Sequence, residues 1–173
     1  GLLAHLAEVL DEYSQPRVLE FGSGRGTKTL ARLIANRGGS LISVEHDPVW
    51  HRNTSEELQS AGLSARASVQ LCPLVDVRTY DVSGRFYDMK CLYGVGQLDV
   101  VIVDGPPAKT NPLARLPALP SVAPLLAPER FHVLLDDYER EDEQAVVKLW
   151  REHLPKLRLT ELNFSKGVAQ LRR

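Results

Sequence analysis

The sequence is short of cysteine, of long apolar runs and of any excess of charge. Cys72 and Cys91 are its only cysteines, too few for a disulfide framework and not at metal-ligand spacing. No apolar run reaches the length of a membrane span, and the first residues lack the charged-then-apolar pattern of a signal segment. The net charge of -1 lacks the basic excess of nucleic-acid-binding proteins. We therefore expect a cytoplasmic protein that binds neither nucleic acid nor a membrane.

Apolar residues alternate between the spacing of helices and that of buried strands along the whole chain. An amphipathic helix at the start and a closing hairpin enclose a series of strands and helices. The predicted strands are Arg17–Phe21, Leu41–Val44, Ala67–Leu71, Leu98–Val103, Phe131–Leu135, and the hairpin pair 157–162 and 168–171. This order predicts a doubly wound α/β fold with a mostly parallel seven-stranded sheet, helices on both faces and a C-terminal antiparallel hairpin. Residues 1–173 are expected to form a single domain.

Two segments do not follow this alternation. Prolines recur through residues 105–128 and exclude one long helix there. Residues 74–97 contain four aromatic residues that could form an apolar wall for a ligand or for a second copy of the chain. These are Tyr80, Phe86, Tyr87 and Tyr93. Long loops in compact domains usually carry function, so we expect specificity to lie here, and a homodimer is compatible with the sequence.

A glycine-rich turn follows the first predicted strand, in the stretch VLEFGSGRGT. Its glycines, Gly22, Gly24 and Gly26, stand at the first, third and fifth places, whereas the dinucleotide fingerprint has them at the first, third and sixth. Glu20 would repel a diphosphate but suits a ligand that carries an ammonium group. An NAD-dependent oxidoreductase is therefore the weaker interpretation, and a purely structural turn explains the glycines almost as well.

An acidic segment follows the second strand. Glu45 lies about twenty residues beyond the glycines, which is where a carboxylate meets a ribose hydroxyl pair. Asp47 precedes Pro48 and is expected to cap the next helix. His46 could contact a ligand or act as a base. Trp50 could stack on an aromatic base or pack against the sheet.

Further acids follow the fourth and fifth strands. Asp104 ends the run LDVVIV, and Asp136 and Asp137 follow Leu135. Together they could hold magnesium, serve as a general base, or cap a helix and pair with Arg140. We expect a functional role for Asp104, and a structural role for the other two because a helix is expected from Tyr138.

Taken together, these segments resemble the class I S-adenosylmethionine-dependent methyltransferases, in a mostly uncharacterised bacterial branch. The resemblance covers nearly the whole chain. It rests on VLEFGSGRGT, ISVEHDPVW, VIVDGPP, ARLPALP and LLDDYEREDE in this order. It implies a Rossmann-like fold and S-adenosylmethionine as the cofactor.

The resemblance also implies roles for individual residues. Glu20 would lie near the ammonium group, Glu45 would bind the ribose, and Asp104 would face the sulfonium and the methyl acceptor. The implied cofactor-binding set is Glu20, Gly22, Ser23, Gly24, Glu45, His46, Trp50, Cys72 and Asp104. Cys72 stands where an acid is common in this superfamily, which leaves adenine recognition to backbone groups and apolar contacts.

The chain is also similar to the magnesium-dependent small-molecule O-methyltransferases, through Asp104, Asp136 and Asp137. However, Asp-Asp replaces the usual Asp-Asn pair after the fifth strand, and Gly-Pro-Pro replaces a further acid after the fourth. Magnesium is therefore an alternative and not the expected cofactor. Asp104 and His46 are the candidate bases. Lys109 and Arg115 would hold an anionic or sugar-like acceptor, or else are solvated loop charges.

The sequence thus predicts methyl transfer to an oxygen or nitrogen of a small-molecule or sugar-like acceptor. The main alternative is a module that binds S-adenosylmethionine without catalysis. A cavity lined by Asp104, Lys109 and Asp137 would favour the enzyme, whereas closure by residues 106–120 would favour the binding module. The NAD-dependent oxidoreductase is the remaining alternative, and the absence of a Tyr-x-x-x-Lys pair counts against it.

Overall fold

A computed structural model describes residues 2–173 as a central sheet flanked by helices. The helices are α1 (Leu2–Leu10), α2 (Thr27–Ala35), α3 (Pro48–Ser60), α4 (Ala118–Val122) and α5 (Glu141–His153). The strands are β1 (Arg17–Phe21), β2 (Ser40–Glu45), β3 (Ala67–Leu71), β4 (Leu74–Thr79), β5 (Val82–Tyr87), β6 (Val100–Val103), β7 (His132–Asp136), β8 (Arg158–Leu162) and β9 (Val168–Arg172). Within the described residues, no helix is long and apolar enough to cross a membrane.

The central sheet has seven strands in the order β3-β2-β1-β6-β7-β9-β8. Five strands run parallel: β3, β2, β1, β6 and β7. Strand β9 pairs antiparallel with both β7 and β8. This confirms the predicted doubly wound sheet and its terminal hairpin. The strand order reverses between β1 and β6, and ligands of open α/β sheets bind at such a point, beyond the carboxyl ends of the strands.

The two faces of the sheet carry separate apolar clusters, because successive residues of a strand point to opposite faces. Val18 of β1 packs with residues of α1, α2 and α3, whereas Leu19 and Phe21 pack with α4, α5 and β5. Glu20 follows the same alternation and therefore lies on the Val18 face, towards α2. The strand thus directs one carboxylate to the helical turn that follows it.

Residues 74–87 form a separate antiparallel hairpin of β4 and β5, which the sequence did not predict. Its two-residue turn has Tyr80 and Asp81 at φ 49° and 67°, as in the tight turns that suit hairpins. Phe86 and Tyr87 are each only 1% exposed and belong to the core. Together with Tyr80 they border a cavity of about 720 Å³, but these two expose almost no surface to it. Tyr93 is 74% exposed and does not line this cavity.

The connection from β7 to α5 differs from the prediction. The helix begins at Glu141, not at Tyr138, and Asp137 has a positive φ of 57°. The backbone amides of Tyr138 and Glu139 donate to the carbonyls of Gly167 and Lys166 (3.0 and 3.1 Å). The turn between β8 and β9 therefore holds this segment in a non-helical conformation.

Candidate functional site

The glycine-rich turn serves chain packing at one position and leaves open space at another. Gly22 has φ 92°, and a Cβ there would lie 3.0 Å from the backbone carbonyl carbon and oxygen of Asp104. Its amide donates to the carbonyl of Val44 (2.9 Å). A Cβ on Gly24 would have no neighbour within 4 Å. Gly22 thus lets the ends of β1 and β6 approach each other, and the space beside Gly24 can receive a ligand.

Glu20 is a buried carboxyl group at the start of α2. Its Oε2 accepts hydrogen bonds from the hydroxyls of Thr27 (2.8 Å) and Ser43 (2.6 Å). Burial raises the pKa of Glu20 to about 7, although these two hydrogen bonds oppose the shift. Neither a salt bridge nor a hydrogen bond to Oε1 is formed within residues 2–173. The group is suited to a cationic partner that the described chain does not supply.

Glu45 is held in one orientation at the end of β2. Its Oε1 accepts from the amides of His46 (2.7 Å) and Asp47 (2.8 Å), and its Oε2 accepts from the Ser23 hydroxyl (3.0 Å). Ser23 also lies 3.4 Å from the Thr54 hydroxyl. Each carboxylate oxygen can accept two hydrogen bonds. Oε2 therefore retains the capacity to bind a hydroxyl, as ribose recognition requires.

The start of α3 borders this carboxylate. The Oδ1 of Asp47 accepts from the amides of Val49 (2.8 Å) and Trp50 (3.1 Å), which confirms the predicted helix cap. These two hydrogen bonds lower the pKa of Asp47, and the charges of His46 and Lys109 add to them. The side chain of Trp50 is 46% exposed. It is therefore accessible for stacking and is not buried against the sheet.

His46 and Cys72 lie on either side of Glu45. The Nδ1 of His46 is 3.1 Å from the Glu45 Oε1. The Cys72 amide donates to the Glu45 carbonyl (2.8 Å), and its fully buried thiol has a pKa raised by burial to about 11. The whole residue is 0% exposed, so the expectation that Cys72 contacts a ligand is wrong: it packs in the core next to Glu45.

Asp104 lies at the carboxyl end of β6, beside Gly22. Its side chain is 52% exposed, and its amide donates to the carbonyl of Phe21 (2.9 Å). Partial burial raises the pKa of Asp104 to about 6; the Arg115 charge lowers it, and the Asp136 and Asp137 charges raise it. A carboxylate with this pKa is ionised at neutral pH and still accepts a proton readily, as a general base must.

Arg115 is a buried residue whose importance sequence reasoning missed. Its Nη2 lies 3.0 Å from Asp137 Oδ2 and 3.3 Å from Asp104 Oδ1, and its Nη1 donates to the Asp136 carbonyl (2.9 Å). The expectation of a solvated or acceptor-binding charge is therefore wrong. A signal was present, because Arg115 stands alone between Ala114 and Leu116 in an apolar stretch.

The acids at the ends of β6 and β7 come together as predicted. One carboxylate oxygen each from Asp104, Asp136 and Asp137 lie within 4.8 Å of one another. Arg115 lies against two of these side chains, and Arg140 lies 2.9 Å from Asp137. The guanidinium groups contact Asp104 Oδ1 and Asp137 Oδ2, whereas Asp137 Oδ1 is buried without a hydrogen-bond partner among the described residues. The cluster thus already holds a cation, and magnesium stays the alternative that the sequence offered.

Tyr87 stacks on Phe21 with 5.8 Å between ring centroids, and its buried hydroxyl has no partner among the described residues. A side chain at Gly105 would collide with that hydroxyl.

Lys109 is exposed, but Asp137 is buried. Asp104, Lys109 and Asp137 therefore do not share an open cavity, and on the criterion stated in the sequence analysis this outcome counts for the non-catalytic binding module.

Comparison with known proteins identifies the fold. No family model and no curated protein matches the sequence. Three solved structures superpose over nearly the whole chain. Cofactor-bound Rv0187 from MTB is 20% identical with a TM-score of 0.71, over 98% of this chain and 78% of that one. The O-methyltransferase TomG from Streptomyces achromogenes, in complex with SAM, is 18% identical with a TM-score of 0.67, over 98% and 77%. A methyltransferase from Geobacter sulfurreducens is 18% identical with a TM-score of 0.66, over 99% and 76%.

The chain has the class I methyltransferase fold. This confirms the fold that the resemblance implied, whereas the cofactor and the bacterial branch stay predictions. In this methyltransferase fold the ends of β1, β2 and β6 bring together Glu20, Glu45 and Asp104 at the strand-order reversal. The three acids that the sequence singled out after these strands therefore share one edge of the sheet.

Proposed function

We propose that the protein is an S-adenosylmethionine-dependent methyltransferase that acts on an oxygen or nitrogen of a small-molecule or sugar-like acceptor. The observation that carries this proposal is the pair of buried carboxylates Glu20 and Glu45 on neighbouring strands. One lacks a cationic partner and the other is held ready to accept a hydroxyl. A ligand with an ammonium group and a ribose satisfies both.

The cofactor would be held by the residues around these carboxylates. Glu20 would bind the ammonium group of the cofactor and Glu45 its ribose hydroxyls. The open space beside Gly24 would admit its methionine portion. Trp50, which is exposed, would stack on the adenine. Gly22, Ser23 and His46 would support this arrangement by shaping the turn and by their contacts with Glu45.

Asp104 is the proposed base for the transfer. When bound, the cofactor supplies a methyl group that is already activated by its bond to a sulfonium, and the sulfur departs as a thioether. Asp104 would accept the proton that the acceptor oxygen or nitrogen loses as it forms its bond to the methyl carbon. Its half-exposed carboxylate is accessible from solvent. The remaining catalysis is proximity and orientation.

Two other residues have secondary roles in the proposal. His46 is the second candidate base, since its ring lies beside Glu45 at the same edge. Lys109 would attract an anionic or sugar-like acceptor from its exposed position near Asp47. No magnesium is proposed.

Calorimetric titration with S-adenosylmethionine tests cofactor binding. We expect binding to the purified protein, and a dissociation constant raised about tenfold or more in Glu45→Gln, because a charged hydrogen-bond acceptor is lost. Glu56→Gln, an exposed carboxylate of α3, is the matched control and should bind normally. No heat with S-adenosylmethionine, or heat with NAD alone, would contradict the proposal.

Release of S-adenosylhomocysteine across a panel of hydroxyl- and amine-bearing acceptors tests catalysis. We expect Asp104→Asn to lower kcat about 100-fold or more while cofactor affinity is retained, because the base is lost but the binding carboxylates remain. Glu139→Gln, an exposed carboxylate near β7, is the control. Normal turnover by Asp104→Asn would exclude this base. Cofactor binding without turnover on any acceptor class would favour the non-catalytic module.

A further inference from the structure

Four carboxyl groups converge where β6, β7 and α5 meet. One carboxylate oxygen from each of Asp104, Asp136 and Asp137 lies within 4.8 Å of the other two. Glu143 of α5 is buried and lies 3.7 Å from the Arg115 guanidinium. Carboxylates so close repel one another, and not all can stay ionised unless a cation lies among them.

The cation among them is the guanidinium of Arg115, which is 3% exposed. Its Nη2 reaches Asp137 (3.0 Å) and Asp104 (3.3 Å), and its Nη1 reaches the Asp136 carbonyl (2.9 Å) and Glu143 (3.7 Å). A guanidinium has five donors in a planar fork, so one group can join several acceptors. Arg115 thereby links the ends of two strands to a helix, as a multivalent metal ion would.

The segment that carries Arg115 is fixed from both sides. The Leu113 amide donates to the Asp142 carboxylate (3.1 Å), and the Leu116 carbonyl accepts from the Trp150 indole (2.8 Å). Both partners belong to α5. The guanidinium therefore enters the cluster from a segment bonded to the same helix that supplies Glu143.

Two further cations lie at the rim of the cluster. Arg115 is joined by Arg140, 2.9 Å from Asp137, and by Lys166, 3.6 Å from Asp137. Three cationic groups thus face the four carboxyl groups named above. The side chains of Arg140 and Lys166 are 45% and 69% exposed, so Arg115 is the buried cation among these three.

We propose that Arg115 replaces the divalent cation at this sheet edge and positions the Asp104 carboxylate, so that the site works without a metal. Only the catalytic use of Asp104 rests on the proposed function; the replacement of a metal rests on the cluster itself. Arg115 is a positioning residue, since it is buried and reaches the acceptor side only through Asp104.

Manganese titration followed by electron paramagnetic resonance tests this inference directly, because it needs neither cofactor nor acceptor. We expect the wild type to leave Mn²⁺ free up to about 1 mM, and Arg115→Ala to bind one Mn²⁺ with a dissociation constant below that value. Arg140→Ala is the matched control. It removes another cation from Asp137, but one whose side chain is 45% exposed, and it should behave as the wild type.

Thermal melting accompanies the titration, since removal of a buried ion-pair partner destabilises a protein. We expect Arg115→Ala to melt below the wild type, and Mn²⁺ or millimolar guanidinium to raise its melting temperature. The inference is overturned if the wild type or Arg140→Ala binds one Mn²⁺ in that range. It is also overturned if Arg115→Ala neither binds Mn²⁺ nor gains order from it. Failure of the wild type to bind S-adenosylmethionine would instead reject the proposed function and leave the manganese result standing.

Discussion

Glu20 and Arg115 are both buried charged residues at the same sheet edge, but their surroundings differ. Arg115 has carboxylates on two sides. Glu20 has only two hydroxyls, and its pKa rises to about 7 because it is buried. An unpaired buried carboxylate costs stability that a packed apolar group would not. A binding site retains such a group when a ligand supplies the missing charge, which is the role proposed for Glu20.

The pH dependence of stability tests this interpretation of Glu20. Its pKa is about 4.5 in the unfolded chain and about 7 when folded, so between these values the folded protein binds more protons. The free energy of unfolding therefore falls as pH rises through this interval, by up to about 3 kcal/mol. We expect Glu20→Gln to remove this part of the decrease in denaturant unfolding measured without ligand at pH 5 and pH 8.

Glu56→Gln should keep the wild-type dependence on pH, since that carboxylate is exposed. The pKa values of Asp104 and Glu143 are raised as well. The difference in pH dependence between wild type and Glu20→Gln therefore isolates the contribution of Glu20 from theirs. An unchanged pH dependence in Glu20→Gln would show that Glu20 is not the buried titrating group described above.

At the scale of the element, the turn between β1 and α2 combines a packing requirement with a binding one. Gly22 has a positive φ and touches the backbone of Asp104, whereas Gly24 has no neighbour at its Cβ position. The same sequence motif therefore contains one glycine that the fold needs and one beside which the proposed cofactor would lie.

Alanine substitutions separate these two needs. Gly22→Ala should lower the free energy of unfolding by about 2 kcal/mol or more, because it adds a strained φ to a close backbone contact. Gly24→Ala should change it by less than about 1 kcal/mol but weaken S-adenosylmethionine binding in calorimetry. Denaturant unfolding of both variants checks the first part. Equal destabilisation by the two substitutions would contradict the distinction.

The strands and the turns after them could be predicted where residues close in sequence determine the local structure. Buried parallel strands read as apolar runs, so the strand ends and the acids Glu20, Glu45 and Asp104 could be located in advance. The β4–β5 hairpin was missed because its turn is Tyr80-Asp81 and lacks the usual glycine or asparagine. The role of Arg115 was predicted wrongly because its burial depends on Asp137 and Glu143, far away in the chain.

At the scale of the molecule, the strand order explains why residues distant in sequence share one site. The chain runs outward through β1, β2 and β3, forms the β4–β5 hairpin, and returns to place β6 beside β1. Glu20, Glu45 and Asp104 therefore end adjacent strands. The acid cluster with Arg115 lies on the far side of Asp104, towards β7 and α5. Cofactor and acceptor chemistry would thus meet at Asp104.

A crystal structure of the complex with S-adenosylhomocysteine would test this arrangement most directly. We expect the ribose hydroxyls within hydrogen-bonding distance of Glu45, the amino group next to Glu20, and the sulfur facing Asp104. The ligand should lie over Gly24, with Arg115 still between Asp104 and Asp137. Electron density for the ligand elsewhere on the molecule, or none at the carboxyl edge of the sheet at saturating concentration, would contradict the central claim.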